Sequence, residues 1–197
     1  MTGSEAIEYL GKQMFADFTF GDSVGIYRQI YKKFVDGCLH PDKREKGILL
    51  VGDVGVGKTT SMRIFHRMFK DTERKFRWIT SSTLNDMLSE YTLLEIKEMY
   101  GKKCLCDLMI DDVGLVAAQK NYGNVVNVIS EIIMERYEIF VSHGYRTHFT
   151  SNLMDRLTPE NNPENFPTLE TILGSRVVDR MVEMCELIIW EGDSLRK

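Results

Sequence analysis

The sequence holds no C-x-x-C pair, and its four cysteines, Cys38, Cys104, Cys106 and Cys185, have no histidine at metal-ligand spacing. That pattern suggests neither a zinc site nor a disulfide framework, so the thiols read as reduced, as in a cytoplasmic protein. No apolar run approaches membrane-spanning length, and Met1 to Leu10 carries acids where a secretory signal would carry an apolar core. No membrane association is expected. A positive excess is lacking as well. The formal net charge of -4 over 197 residues excludes a protein that coats nucleic acid electrostatically and leaves only weak, local contacts with it. Internal repeats and low-complexity tracts are absent, and the length suits one sheet-centred domain without a second large one.

What the sequence does hold is Gly52-Asp53-Val54-Gly55-Val56-Gly57-Lys58-Thr59, which fills G-x-x-x-x-G-K-[ST] completely. Its flanks agree with a phosphate-binding loop. Ile48 to Val51 is a short β-branched run suited to a strand buried on both faces, and Met62, Phe65 and Phe69 recur at helical spacing beyond Thr59. Glycines let the backbone curl so that successive N-H groups point inward, and the new helix adds unpaired amides and the positive end of its dipole. Lys58 would reach the β- and γ-phosphates, the Thr59 hydroxyl would ligate Mg²⁺, and Thr60 follows in the same first turn.

Helix and strand alternate along the rest of the chain, as around a parallel sheet. An amphipathic helix is expected over Glu5 to Phe15 and another from Ser23 to Gly37, where Tyr27, Ile30, Tyr31 and Phe34 share a face. Pro41 and the charged stretch Lys43 to Lys46 lead into the first strand. A second strand follows at Phe76 to Thr80, then a helix with Ser82 as N-cap and Leu84, Met87, Leu88 and Tyr91 on one face. Further strands are expected at Cys104 to Ile110, Arg146 to Ser151 and Leu187 to Trp190. Between them lie a long helix over Asn124 to Val141, a polar connection marked by Pro159, Pro163 and Pro167, and short helices at Leu169 to Leu173 and Ser175 to Met184. Five strands with helices between them predict a three-layer α/β sandwich. Residues 1–22 form a short N-terminal extension and 23–197 the core.

The third strand ends in Asp111-Asp112, where a parallel sheet presents its ligands. Asp111 would hold the Mg²⁺ shell, and Asp112 is placed to orient or deprotonate a water attacking the γ-phosphate. Asn152, at the end of the fourth strand, supplies a polar side chain that could bond both that water and the γ-phosphate; Asn at a strand end is also an ordinary turn residue. Arg176 and Arg180 stand at i and i+4 on a short helix. One could act across a subunit boundary on phosphate, while pairing with Asp179 or Glu183 on a solvated face is the plainer reading for either. Six basic residues, Arg63, Arg67, Lys70, Arg74, Lys75 and Arg77, surround two acids, Asp71 and Glu73. The cluster reads first as a solvated helix face and second as a track for single-stranded DNA, with Phe76 and Trp78 assigned to the core.

Taken in order, GDVGVGKT, LMIDDVG, FTSNL and GSRVVDRM resemble the AAA+ ATPases of the DnaC/IstB helicase-loader group, from about Ser23 to the C-terminus. The resemblance implies a five-stranded AAA+ core that binds ATP and Mg²⁺ and self-associates in the ATP state. It makes Asn152 the sensor-1 residue, Arg176 the finger, and Arg196 of Ser194-Leu195-Arg196 a γ-phosphate contact. Asp112 stands where many such ATPases carry Glu, and the shorter arm implies slow hydrolysis. Little precedes the core, and no helical lid is expected after the fifth strand. A minimal form of phage or mobile-element origin is the corresponding expectation, with Glu5 to Phe15 either gripping a partner or packing on the core.

The leading function is therefore an ATP-dependent loader acting on a replicative helicase. Three others remain open: an IstB-like transposition ATPase, a P-loop small-molecule kinase, and a nucleotide-gated adaptor with little turnover.

Overall fold

Strand β1 (Gly47–Gly52) sends alternate side chains into two separate cores. Leu49 and Val51 join Leu108, Ile110 and Phe149 on one side, while Ile48 and Leu50 join Phe34, Phe65 and Met109 on the other. A β-branched run without polar alternation is what a strand covered on both faces requires. The computed structural model describes residues 2–15, 18–20, 23–39, 45–114, 119–121, 124–154 and 167–194.

Around β1 lie β2 (Phe76–Thr80), β3 (Asp107–Asp111), β6 (Thr147–Ser151) and β7 (Cys185–Trp190), in the spatial order β2-β3-β6-β1-β7. Every pairing in this sheet is parallel. The short strands β4 (Gln119–Asn121) and β5 (Asn124–Val126) form a separate antiparallel hairpin. One helical layer contains α1 (Gly3–Met14), α2 (Val24–Leu39) and α3 (Lys58–Phe69). Opposite it are α4 (Ser81–Asp86), α5 (Leu93–Tyr100), α6 (Val128–His143), α7 (Leu169–Leu173) and α8 (Ser175–Met184). The expected three-layer α/β sandwich with five parallel strands is the observed architecture.

Phe34 is fully buried and stacks on Phe65, Phe69, Phe76 and the ring of His148, with centroids 5.0–5.6 Å apart. Burying one such ring contributes on the order of 2–3 kcal/mol by area, and the stack locks α2 and α3 onto the sheet. Helix α1 starts with a capping box between Thr2 and Glu5 and buries Ile7. It packs on α3, the helix that follows the phosphate loop.

Several boundaries differ from expectation. Cys104 to Cys106 are not in β3; they form tight turns, Leu105 N to Lys103 O and Cys106 N to Cys104 O, and the strand begins at Asp107. The long helix starts at Val128 because Asn127 accepts from Ser130 N as its cap, so Val125 lies in the hairpin. The helix expected from Ser82 through Tyr91 is shorter, and a further helix follows it. Thr80, not Ser82, caps α4, which ends in a 3-10 turn at Met87–Ser89. A second capping box, Thr92 with Glu95, then opens α5, which carries Ile96 into the core. Gly37 does not stop α2, which runs on to Leu39. Pro41, Lys43, Pro159 and Pro163 lie outside the described residues.

Candidate nucleotide site

The parallel strands bring the carboxyl ends of β1, β3 and β6 to one edge of the sheet, where parallel α/β sheets bind their ligands. From β1 the backbone turns through Gly52, Gly55 and Gly57, with φ of 144°, 89° and 109°. Side chains resist all three conformations. At Gly52 a Cβ would also stand 1.9 Å from Trp190 O. The turn delivers the chain into α3 at Lys58 with Gly57 as a left-handed N-cap. Among the described residues, the amides of Val54, Gly55, Val56, Gly57, Thr59 and Thr60 have no acceptor. A run of unpaired donors at a helix N-terminus is an anion site in waiting.

Lys58 is buried to 6% exposure, and its Nζ donates to Gly52 O at 2.8 Å and Asp53 O at 2.6 Å. Those carbonyls hold the ammonium against the loop. Val56 is buried beneath it, whereas Val54 is exposed. Asp53 accepts from Gly192 N through Oδ2 at 3.2 Å, and a Cβ at Gly55 would meet Ser194 Oγ at 2.2 Å. The segment after β7 thus runs back over the phosphate loop. Arg196 lies outside the described residues.

Thr59 Oγ1 donates to Asp111 Oδ1 at 3.0 Å, joining the start of α3 to the end of β3. Asp111 is 3% exposed and forms no ion pair among the described residues. Burial raises its pKa above the ordinary carboxylate value; hydrogen bonds from Thr150 and Thr59 pull it back, Asp112 pushes it up and Arg63 pulls it down. A buried carboxylate beside a hydroxyl, with no cation of its own, suits a hard divalent ion, which prefers oxygen donors. These residues fit a triphosphate with Mg²⁺.

Asp112 has a φ of 63°, a left-handed conformation rare for a residue other than glycine. Its Oδ1 accepts from Asn152 Nδ2 at 3.2 Å, so the expected acid and the expected strand-end amide do meet. Two residues overlooked in the sequence complete the corner. Thr150, 1% exposed, donates to Asp111 Oδ1 at 2.5 Å and accepts from Asp112 N at 2.9 Å. Ser81 Oγ donates to Asp112 O at 2.6 Å. Thr150 and Ser151 close β6, a strand buried throughout, and their polarity at that end, continued by Asn152, was the available signal.

The two arginines part company. Val177, Val178 and Met181 turn α8 onto the core, which leaves Arg176 exposed with no partner among the described residues. Arg180 instead donates to Tyr137 Oη at 3.0 Å and to Glu183 at 2.8 Å. Neither reaches the phosphate loop. The basic cluster is partly spent internally: Arg74 pairs with Glu45, Arg77 donates to Met99 O and covers Tyr100, and Arg63 lies over Trp78 at 5.8 Å. Phe76 is core, as expected, and Trp78 is half-buried. Among the described residues no helix is long and apolar enough to cross a membrane.

No family model matches the sequence, and no curated protein matches it closely. Solved structures do match. A candidate primosome component from Streptococcus pyogenes serotype M3 superposes with a TM-score of 0.59 at 16% identity, covering 99% of this chain and 100% of the other. The DnaC helicase loader gives 0.51 at 19%, covering 84% and 90%. AMPPCP-bound DnaA from Aquifex aeolicus gives 0.51 at 20%, over 84% of this chain and 47% of that one. The chain therefore shares the fold of these proteins, a five-stranded parallel sheet between two helical layers.

Proposed function

We propose that the protein is an ATP-binding and ATP-hydrolysing AAA+ protein that acts in DNA replication as a helicase loader. The observation that carries this reading is the Thr59 to Asp111 hydrogen bond, which couples the phosphate loop to the acidic strand end. Loop amides and Lys58 would bind the phosphates, and Thr59 with Asp111 would hold Mg²⁺. The ion supplies charge neutralisation at the phosphates when bound. Asp112 and Asn152, already hydrogen-bonded to each other, would orient the attacking water.

Arg176 is the finger in this reading, since it is exposed and uncommitted while Arg180 is held by Tyr137 and Glu183. It completes the site of a neighbouring copy, so self-association in the ATP state belongs to the function. A replicative helicase is the partner, single-stranded DNA a weak, local one through Arg67, Lys70 and Lys75, and the cytoplasm the compartment. Likeness to a helicase loader in fold supports the choice of partner.

Lys58→Ala tests the nucleotide site. Binding of a fluorescent ATP analogue should fall at least about a hundredfold with the fold intact by circular dichroism, because a buried ammonium on two phosphates is lost. Wild-type affinity in that variant would end the reading.

A further inference from the structure

The two acids at the end of β3 are neighbours in sequence yet must do different work, one beside the metal and one beside the water. Something has to keep their carboxylates apart. The chain from Asp112 to Val113 is stitched to β6 by Asp112 N to Thr150 Oγ1 at 2.9 Å, Val113 N to Thr150 O at 2.8 Å, and Ser151 Oγ to Val113 O at 2.7 Å. Only the first of these involves a group that also touches a carboxylate.

We propose that Thr150 is the positioning residue of this site: its single hydroxyl fixes the rotation of the Asp111 carboxylate and the left-handed backbone of Asp112 together. A hydroxyl has one proton and two lone pairs. The proton goes to Asp111 Oδ1 and a lone pair takes the Asp112 amide, so no other arrangement satisfies both partners. With Thr59 on the same Oδ1, both side-chain hydrogen bonds to Asp111 fall on one oxygen, and Oδ2 would be left for the hydrated ion. Because the Asp112 N-H is held back toward β6, its φ of 63° is maintained and its side chain meets Asn152 rather than Asp111. Such conformations persist only where the surroundings over-determine them. Here Thr150 on one side and Ser81 on the other do so.

The inference rests on the ATPase reading, and valine separates it from simple packing. Thr150→Val keeps the shape and the strand preference and deletes only the hydroxyl; Thr150→Ser keeps the hydroxyl; Thr150→Ala is a second hydroxyl-free variant should valine fail to fold. Three quantities are measured: affinity for a fluorescent ADP analogue in magnesium and in EDTA, kcat and KM for ATP, and hydrogen exchange at the Asp112 amide. In the hydroxyl-free variants, magnesium-dependent tightening should shrink roughly tenfold while affinity in EDTA holds. In these variants kcat should fall by roughly tenfold or more with little change in KM, and the amide should lose protection. Serine should restore all three to within about threefold. Valine and alanine equal to wild type, or serine as impaired as valine, overturns the proposal. A wild-type protein that binds no nucleotide, or Lys58→Ala binding as wild type does, overturns the ATPase reading and this one with it.

Discussion

Arg180 lies over the ring of Tyr137 with its guanidinium carbon 4.2 Å from the centroid, and it donates to the hydroxyl of the same tyrosine at 3.0 Å. Glu183 closes the triangle, accepting from Tyr137 at 2.7 Å and from Arg180 at 2.8 Å. The arginine one turn earlier has no such company.

Arg176→Ala should therefore leave the melting temperature and single-site nucleotide affinity unchanged and lower assembly-dependent turnover by about 10³-fold or more. Arg180→Ala should do the reverse, costing a melting temperature shift of roughly a few degrees while turnover persists. Steady-state hydrolysis as a function of protein concentration, beside thermal melts, separates the two. Equal loss of turnover in both variants would show that α8 as a whole, not Arg176, makes the intersubunit contact.

The turn between β1 and α3 was legible because its signal is local: glycines, lysine and threonine fall within eight consecutive positions between a strand pattern and a helix pattern. Asp111 and Asp112 were legible for the same reason. Thr150 was not, since its task depends on β6 lying beside β3 with Ile110 opposite Phe149, a pairing that no window of sequence contains. The start of α6 was misplaced because Val125 and Val126 carry the apolar spacing of a helix while Asn127, the cap, sits behind them. Helix α5 was overlooked because a single residue, Ile96, is buried in its eight, so it has almost no periodic signal.

Arg136 shows the same limit in the core. In sequence it is one more charge on a long helix, yet it is 0% exposed. Its donors go to Thr147 Oγ1 at 2.8 Å and to the carbonyls of Cys104, Cys106 and Arg146 at 2.6, 2.8 and 3.0 Å. Burial lowers its pKa from the ordinary arginine value, with the nearby cysteines and Asp107 opposing. The fork clamps the turn that feeds β3, whose far end carries Asp111. Arg136→Met would leave Cys106 O without its donor and take one of two donors from Cys104 O and Arg146 O, and Arg136→Lys cannot reproduce a planar fork. Both should lose on the order of 3–5 kcal/mol in urea unfolding. A lysine variant within about 1 kcal/mol of wild type would mean that charge alone, without the fork, holds that turn.

His148 makes stability depend on pH in a definite direction. It is 1% exposed on β6, its Nδ1 accepts from Ile48 N at 3.2 Å, and its Nε2 has no hydrogen-bond partner among the described residues. Burial, and then the charges of Arg146 and Arg136, lower its pKa well below the ordinary 6.5, so the folded protein keeps it neutral. Well above pH 6.5 neither the folded nor the unfolded form binds this proton, and the residue contributes no pH dependence. As pH falls below 6.5 the unfolded chain takes up the proton first, so folding loses up to about 1.4 kcal/mol per pH unit from this group. The loss continues until the lower, folded pKa is reached. His148→Gln can still accept from Ile48 N and cannot titrate. It should be less stable than wild type at about pH 7.5, through lost stacking on Phe34 at 5.1 Å, yet show a flatter decline between about pH 6.5 and 5.5. Urea unfolding across that window gives both slopes, and parallel curves for the two proteins would mean that His148 is already protonated in the fold.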